Sequence, residues 1–197
     1  MVKAIVFDLD GMVYLTTEMF STRYAREFNL DPEIMVPFFK NQLAACQKGE
    51  MDLKEELDKV LETWKWTGTV DELLDYWFDD GQLNDHMLPL ISELKEKGVL
   101  CGLCTNNEKY RLKYLKEKYD LGNVFDFIVT SYETGHLKPE KEIFDTVLEK
   151  INLSAGSVLV CDDKEKHVET LSAWEFVPYI YKNQEEFEKK LEELKVL

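Results

Sequence analysis

Asp8 and Asp10 close the apolar run that opens the chain, "AIVFDLDG" over 4–11. Aspartate is a poor strand residue, and strand positions two apart point their side chains to the same face. Two carboxylates held side by side repel unless a cation or a substrate wants both of them. Three further apolar runs end the same way, in residues able to do chemistry. "VLCGLC" (99–104) runs into Thr105-Asn106, "FDFIVT" (125–130) closes on Thr130-Ser131, and "SVLVC" (157–161) runs into Asp162-Asp163. Soon after the third run, "GHLKPEKEIF" offers Lys138 just ahead of a helical pattern.

Each residue type has a task if the substrate is a phosphate ester. Clustered carboxylates suit a hard divalent cation such as Mg²⁺, which takes oxygen ligands and keeps waters for exchange with a substrate phosphate. A carboxylate can also attack phosphorus to give an acyl-phosphate, splitting one difficult displacement into two. A lysine and a hydroxyl would then offset charge on the transferring group. Taken singly, the residues have plainer readings. Aspartate at a strand end opens turns or caps helices, Lys138 alone is a solvated lysine, and Thr105-Asn106 is an N-cap for a helix from 107. Their recurrence at successive strand ends is the informative feature, because open parallel sheets bind ligands at the carboxyl ends of their strands.

The elements that must position these groups alternate along the chain. Helical patterns over 88–97, 107–119, 139–150, 164–173 and 184–195 separate the apolar runs, with a further run at "FVPYIY" (176–181). Uninterrupted apolar strands alternating with helices predict an α/β, Rossmann-like fold, a mostly parallel sheet sandwiched by helices. The interval 15–85 departs from this rhythm. It offers helical patterns at 17–29, 32–47, 52–66 and 70–79, with a capping-box pair Thr69 and Glu72, and no strand is expected within it. A small α-helical bundle inserted after the first strand is therefore predicted, with Trp64, Trp66, Tyr76 and Trp77 assigned to its interior. The domains expected are a core of 1–14 and 86–197 and a helical cap of 15–85.

Composition bounds the partners. The chain has 197 residues, 45% apolar and 32% charged, with a formal net charge of -15, an ordinary globular mix with an acidic surface. Such a surface repels nucleic-acid phosphates and anionic lipid, which argues against both as partners. No run approaches the ~20 apolar residues of a membrane span, and the N-terminus lacks the pattern of a secretory signal. Cys101 and Cys104 are spaced as C-x-x-C but lie on a strand run, where positions three apart face opposite ways, and no paired histidines complete a zinc site. Four reduced core thiols and a cytoplasmic protein are expected.

"VFDLDGMVY", "LCTNN", "G-x-L-K-P-E-x-x-I-F" and "VLVCDD" together resemble, in order, the four motifs of the haloacid dehalogenase-like (HAD) hydrolase superfamily. The insert is similar to that superfamily's helical cap. Its size, with the "KPE-x-x-IF" and "DD" forms, is similar to the branch holding sugar-phosphate phosphatases and the phosphatase domain of soluble epoxide hydrolases. The resemblance implies a Mg²⁺-dependent phosphatase acting on a small phosphorylated metabolite. It implies that Asp8 is the nucleophile. Asp10 would protonate the leaving group and then activate water, with its backbone carbonyl on the metal. Thr105 and the Asn106 amide would bind phosphoryl oxygens, Lys138 would bridge nucleophile and phosphoryl group, and Asp163 with Asp162 would complete the metal site. Asp10 also argues against dehalogenation, since dehalogenases of the superfamily lack a carboxylate there. Two positions depart from the pattern: His167 stands where "D-D-x-x-x-N" has asparagine, and Trp174-Glu175 replace a glycine before the last strand. A phosphomutase would use the same residues. A non-catalytic receiver-like signalling or scaffold module would share the chemistry, but its phosphorylated aspartate follows a middle strand and it lacks a large helical insert. Residues near Met12 to Tyr14, and Arg23, Lys40, Gln42 and Gln47 in the insert, are candidates to face the substrate.

Overall fold

The structure, a computed structural model, describes residues 1–197. Strands are numbered β1 (Ala4–Phe7), β2 (Tyr14–Thr16), β3 (Gly81–Leu83), β4 (Leu100–Thr105), β5 (Phe127–Thr130), β6 (Val158–Asp162) and β7 (Val177–Ile180). Five of them form one parallel sheet in the order β5-β4-β1-β6-β7. β1 is central and wholly buried, which is why its sequence is a continuous apolar run rather than an alternation. Ile5 and Phe7 point to a core shared with helices Met87–Glu96 and Gln184–Glu193. Ala4 and Val6 point the other way, toward helix Lys141–Ile151 and Phe176. Cys101 and Cys104 fall on these opposite faces, and all four cysteines are buried and free. The expected α/β sandwich is the observed architecture.

The strand order fixes where chemistry can occur. From β1 the chain moves to β4 and β5 on one side, then returns to β6 and β7 on the other. The switch point lies beside β1, where crossing helices diverge and leave a crevice at the carboxyl ends. Phe7 is level with Leu103 of β4 and Cys161 of β6, so the residues just beyond them meet at one edge.

The interval after β1 corrects two expectations. β2 and β3 pair antiparallel, forming a two-stranded ribbon where no strand was expected. Each is three residues long, too short for an alternation to register, and the partners lie at opposite ends of the insert. Between them the helices are shorter than their patterns. The stretch 32–47 is a 3₁₀ turn (Pro32–Ile34) followed by a helix whose middle is a π-helical turn (Phe38–Gln42) leading into Leu43–Gln47, and Pro32 keeps Asp31 before it extended. The helix expected over 52–66 ends at Asp58, whereas Thr69 and Glu72 form the expected capping box of helix Val70–Phe78. Trp64 and Trp77 are buried in this segment's own apolar cluster, with Trp66 and Tyr76 packed against it. No helix is long and apolar enough to cross a membrane.

Polar contacts tie the insert to the core. Asp52, which caps helix Leu53–Asp58, accepts from Lys109 Nζ at 2.5 Å and from the Tyr110 hydroxyl at 2.8 Å. Lys118 pairs with Asp79 at 2.6 Å, Lys48 with Glu140 at 2.6 Å, and Gln47 Nε2 donates to the Asn106 carbonyl at 2.9 Å. Burial alone would raise the Asp52 carboxyl, but hydrogen bonds from Lys109, Tyr110 and two backbone N–H groups hold it at about 2. A depressed carboxyl stabilises the fold above its unfolded pKa of about 4 and loses that contribution as the pH falls toward its folded value. Urea midpoints measured from pH 5 to pH 2 are therefore expected to fall less steeply for Asp52→Asn than for the parent chain; parallel curves would exclude this contact as a source of acid sensitivity.

Candidate active site

Lys138 is the organising cation at the carboxyl edge. Its side chain is buried, and Nζ donates to Asp8 Oδ1 at 2.7 Å, Asp162 Oδ2 at 2.6 Å and the Cys104 carbonyl at 2.9 Å. All three of its protons are used. Burial would lower the Lys138 pKa, but Asp8 and Asp162 raise it above the ordinary lysine value, so it is charged. Its loop is clasped by Asn106, whose Oδ1 accepts from the Lys138 backbone N–H at 2.8 Å and whose Nδ2 donates to the Lys138 carbonyl at 3.1 Å.

The two carboxylates beside Lys138 are held differently. Asp162 also accepts from the Lys164 backbone N–H at 2.9 Å, and His167 Nδ1 lies 3.0 Å from each of its oxygens. An ionised carboxylate only accepts, so His167 carries its proton on Nδ1. Against burial, these donors hold the Asp162 carboxyl well below its ordinary value. Asp8 accepts only through Oδ1, from Lys138 and from the Leu9 backbone N–H at 2.7 Å, leaving Oδ2 without a protein partner. Burial pushes the Asp8 carboxyl up to about 6; Lys138 pulls it down, while Asp162 and Asp10 add to the rise.

Asp10 has a separate cation. Arg111, buried on helix Lys109–Tyr119, grips it in a two-pronged pair, NH2 to Oδ1 at 2.6 Å and NH1 to Oδ2 at 2.8 Å. Asn107 Nδ2 donates to Asp10 Oδ2 at 2.9 Å and to Thr105 Oγ1 at 2.8 Å, while Asn107 Oδ1 accepts from Arg111 NH1 at 2.9 Å. Burial would raise the Asp10 carboxyl, but Arg111 and Asn107 hold it below its ordinary value. Gly11 turns the chain away at φ +86, and a Cβ there would collide with the Asp163 carboxylate. Asp163 Oδ1 is buried without a hydrogen-bond partner; Lys164 Nζ stands 3.8 Å away, beyond hydrogen-bonding reach, and burial raises the Asp163 carboxyl.

All seven residues singled out from the sequence thus lie at one edge, with Asp8, Asp162 and Lys138 in direct contact and Asp10 beside Thr105 through Asn107. The edge opens into a cavity of about 540 Å³. Asp10, Asp163, Asn106, Arg111 and His167 line one side; Phe20, Phe39, Leu43, Gln47 and Trp77 line the side contributed by the insert. Of the residues nominated there, Gln47 reaches the cavity; Lys40 and Gln42 do not line it, and Arg23 bonds the Tyr76 carbonyl. Met12, Val13 and Tyr14 are buried in the core cluster. Thr105-Asn106 does not cap the next helix; Glu108 does, accepting from the Tyr110 and Arg111 N–H groups. Asn107 and Arg111 were missed. Asn107 lies ahead of helix Lys109–Tyr119, so no helical spacing joins the two, and Arg111 sits in a lysine-rich stretch that reads as a solvated face. At the second departure from the family pattern, Glu175 takes the left-handed conformation, φ +67, that glycine adopts without strain.

Removing the shared cation leaves two buried carboxylates facing each other. Lys138→Met is expected to cost about 3–5 kcal/mol of unfolding free energy, with part recovered on adding Asp162→Asn. Denaturant titration checks both, and a stability equal to that of the parent chain would show that the carboxylates do not depend on Lys138.

The model of the haloacid dehalogenase-like hydrolase family matches residues 2–173. A sesquiterpene phosphatase of Aspergillus oryzae is 34% identical over 82 residues, covering 42% of this chain and 42% of that protein. The rat bifunctional epoxide hydrolase 2 is 22% identical over 182 residues, covering 82% of this chain and 33% of that protein. The chain therefore spans less than half the length of either relative. Among solved structures, a HAD family enzyme from Bacteroides thetaiotaomicron superposes with a TM-score of 0.84 at 18% identity, over 96% of this chain and 98% of that one. That enzyme has also been solved in complex with magnesium and inorganic phosphate, at a TM-score of 0.75, 18% identity and coverage of 92% and 95%. A HAD-like hydrolase from Porphyromonas gingivalis gives a TM-score of 0.81 at 21% identity, over 99% and 98%. With its family model matched over most of its length, the chain belongs to the haloacid dehalogenase-like hydrolases.

Proposed function

We propose that the protein is a Mg²⁺-dependent phosphatase that hydrolyses a small phosphate monoester through an aspartyl-phosphate on Asp8. The observation that carries this reading is Asp8 itself. It is a buried carboxylate with one oxygen held by Lys138 and the Leu9 N–H and the other free, two residues before Asp10, which lines the cavity with Asn106. An unpartnered carboxylate oxygen beside an ammonium suits attack on phosphorus. In the first step Asp8 Oδ2 forms a bond to phosphorus as the ester P–O bond breaks, and Asp10, entering the step protonated at the Oδ1 lone pair that Arg111 leaves open, gives that proton to the departing oxygen. In the second, water attacks phosphorus, Asp10 takes the water's proton, and inorganic phosphate leaves with Asp8 regenerated. The Thr105 hydroxyl and the Asn106 backbone N–H, which has no protein partner, receive the phosphoryl oxygens, and Lys138, its three protons already committed, adds its positive charge beside Asp8.

The donor set fits a divalent cation. Asp8, Asp10, Asp162 and Asp163 meet only Lys138 and Arg111 as buried countercharges, so two negative charges stay unmatched. Asp163 Oδ1, buried and orphaned, asks for the same partner. The Asp8 carboxylate, the Asp10 carbonyl and Asp163 would hold Mg²⁺; Asp162, its oxygens bonded to Lys138, Lys164 N and His167, fixes Lys138. The cation would supply charge neutralisation at the transferring phosphoryl group. His167 bonds to Asp162, but imidazole is a poor ligand for so hard an ion, so the cluster of Asp8, Asp162 and His167 is read as a hydrogen-bonded support and not as the metal site.

Residues 15–85 act as the cap that encloses the ester's organic part, since they supply the cavity's apolar wall. The relatives support both halves of this reading: one is named a sesquiterpene phosphatase, and the Bacteroides enzyme binds magnesium and inorganic phosphate. A phosphomutase would use the same residues but pass phosphate to a second substrate hydroxyl.

Turnover of p-nitrophenyl phosphate and a panel of sugar and lipid monophosphates is expected with Mg²⁺ and not with EDTA. Asp8→Asn is expected to lower it by on the order of 10³-fold or more; equal turnover by the two proteins would sink the mechanism, and phosphorylated product without free phosphate would favour the mutase. Gly11→Ala, which presses on Asp163, is expected to raise the Mg²⁺ concentration for half-maximal activity by about tenfold or more. An unchanged Mg²⁺ requirement would remove Asp163 from the metal site.

A further inference from the structure

We infer that Arg111, acting with Asn107, is the positioning residue for Asp10: it aims the carboxyl that exchanges the proton with the leaving group. The inference rests on the phosphatase reading above and adds to it a residue outside the four family motifs. Three observations carry it.

First, the contact is a fork. Arg111 reaches both oxygens of Asp10, at 2.6 and 2.8 Å, so the guanidinium plane sets the carboxylate's rotation as well as its distance. A point charge such as lysine could neutralise Asp10 without orienting it. Second, the clamp is referenced to the place where phosphate would sit. Asn107 Nδ2 bonds both Asp10 Oδ2 and Thr105 Oγ1, so a single amide nitrogen spaces the proton-transfer group from the phosphoryl-binding hydroxyl. Asn107 Oδ1 is in turn fixed by Arg111 NH1, which closes a ring of hydrogen bonds through Arg111, Asn107 and Asp10. Third, Arg111 is itself immobilised. It is 9% exposed, and its guanidinium lies 5.4 Å from the centroid of Tyr14, whose hydroxyl sits 3.2 Å from the Phe78 carbonyl and 3.1 Å from Asp80 Oδ1 at the far end of the insert. Asp10 lies three residues past the buried strand and immediately before the Gly11 turn, where backbone geometry alone leaves the side chain free to rotate. Misplacement of a reacting group by an ångström is costly because proton transfer needs hydrogen-bond distance to the departing oxygen.

The test separates aiming from folding by the leaving group. p-Nitrophenolate departs without a proton, whereas an alkoxide needs one. Arg111→Lys, which keeps the charge and removes the fork, is expected to retain the single-turnover rate of p-nitrophenolate release, which reads the first step alone, within about threefold, while the single-turnover rate of butanol release from n-butyl phosphate falls about ten- to a hundredfold; steady-state turnover falls on both, because Asp10 also takes the proton from water. KM is expected to hold for both substrates. Asp10→Asn is the reference and should show the same skew more strongly. Arg111→Met, in which Asp10 loses its partner, is followed by circular dichroism so that an unfolded variant is identified as such; the lysine variant then decides. Equal losses of single-turnover leaving-group release on the two substrates would make Arg111 merely structural. A raised KM at constant kcat would make it a substrate-binding residue, and either result overturns the inference while leaving the phosphatase reading standing. A parent enzyme inert toward both substrates overturns that reading and the inference together.

Discussion

One ammonium group holds the catalytic edge together. Lys138 enters from the loop after β5 and neutralises Asp8 and Asp162, which arrive on neighbouring strands of the parallel sheet. Without it, β1 and β6 would bring two carboxylates into a water-poor interior, where unpaired charge is costly. The surrounding hydrogen bonds are arranged to keep that ammonium in place. Asn106 clasps the Lys138 backbone in both directions, and the Cys104 carbonyl takes the third proton. His167 and the Lys164 N–H hold Asp162 ionised. His167 therefore does the bracing that an asparagine could do at the same position, through one ring nitrogen facing both oxygens of a carboxylate.

The two aspartates of "FDLDG" are two residues apart yet answer to different cations. Asp8 is paired with a cation it must share, and burial raises its carboxyl. Asp10 is paired with a cation of its own, and Arg111 lowers it. Environments that drive two nearby carboxyl groups in opposite directions give them different tasks. The Gly11 turn keeps the two arrangements apart by sending the chain toward the insert immediately after Asp10, while its missing Cβ leaves room for Asp163.

Much of this was legible in the sequence, for a local reason. Continuous apolar runs such as "AIVF" and "VLVC" reveal strands buried on both faces, and the polar residues just past them reveal which sheet edge is chemical. Lys138 could be matched to that edge because it lies in a motif with a fixed spacing to its helix. The ribbon of β2 and β3 was not legible. Three-residue strands carry no periodicity, and their pairing joins residues at opposite ends of the insert. The helices of the insert were over-read for the opposite reason: apolar spacing continues past Asp58 although the hydrogen-bonded helix does not.

By itself the sequence determined the alternating α/β architecture, the inserted helices, and the set of acid, hydroxyl and lysine groups at the strand ends, because each is encoded in residues close together in the chain. Only the tertiary structure decided who partners whom. That Asp10 belongs to Arg111, that Asp162 serves Lys138, and that Asp163 keeps an unmatched oxygen are consequences of distances between residues far apart in the chain. Electrostatic partnership depends on those distances and on burial, and neither is written in local spacing.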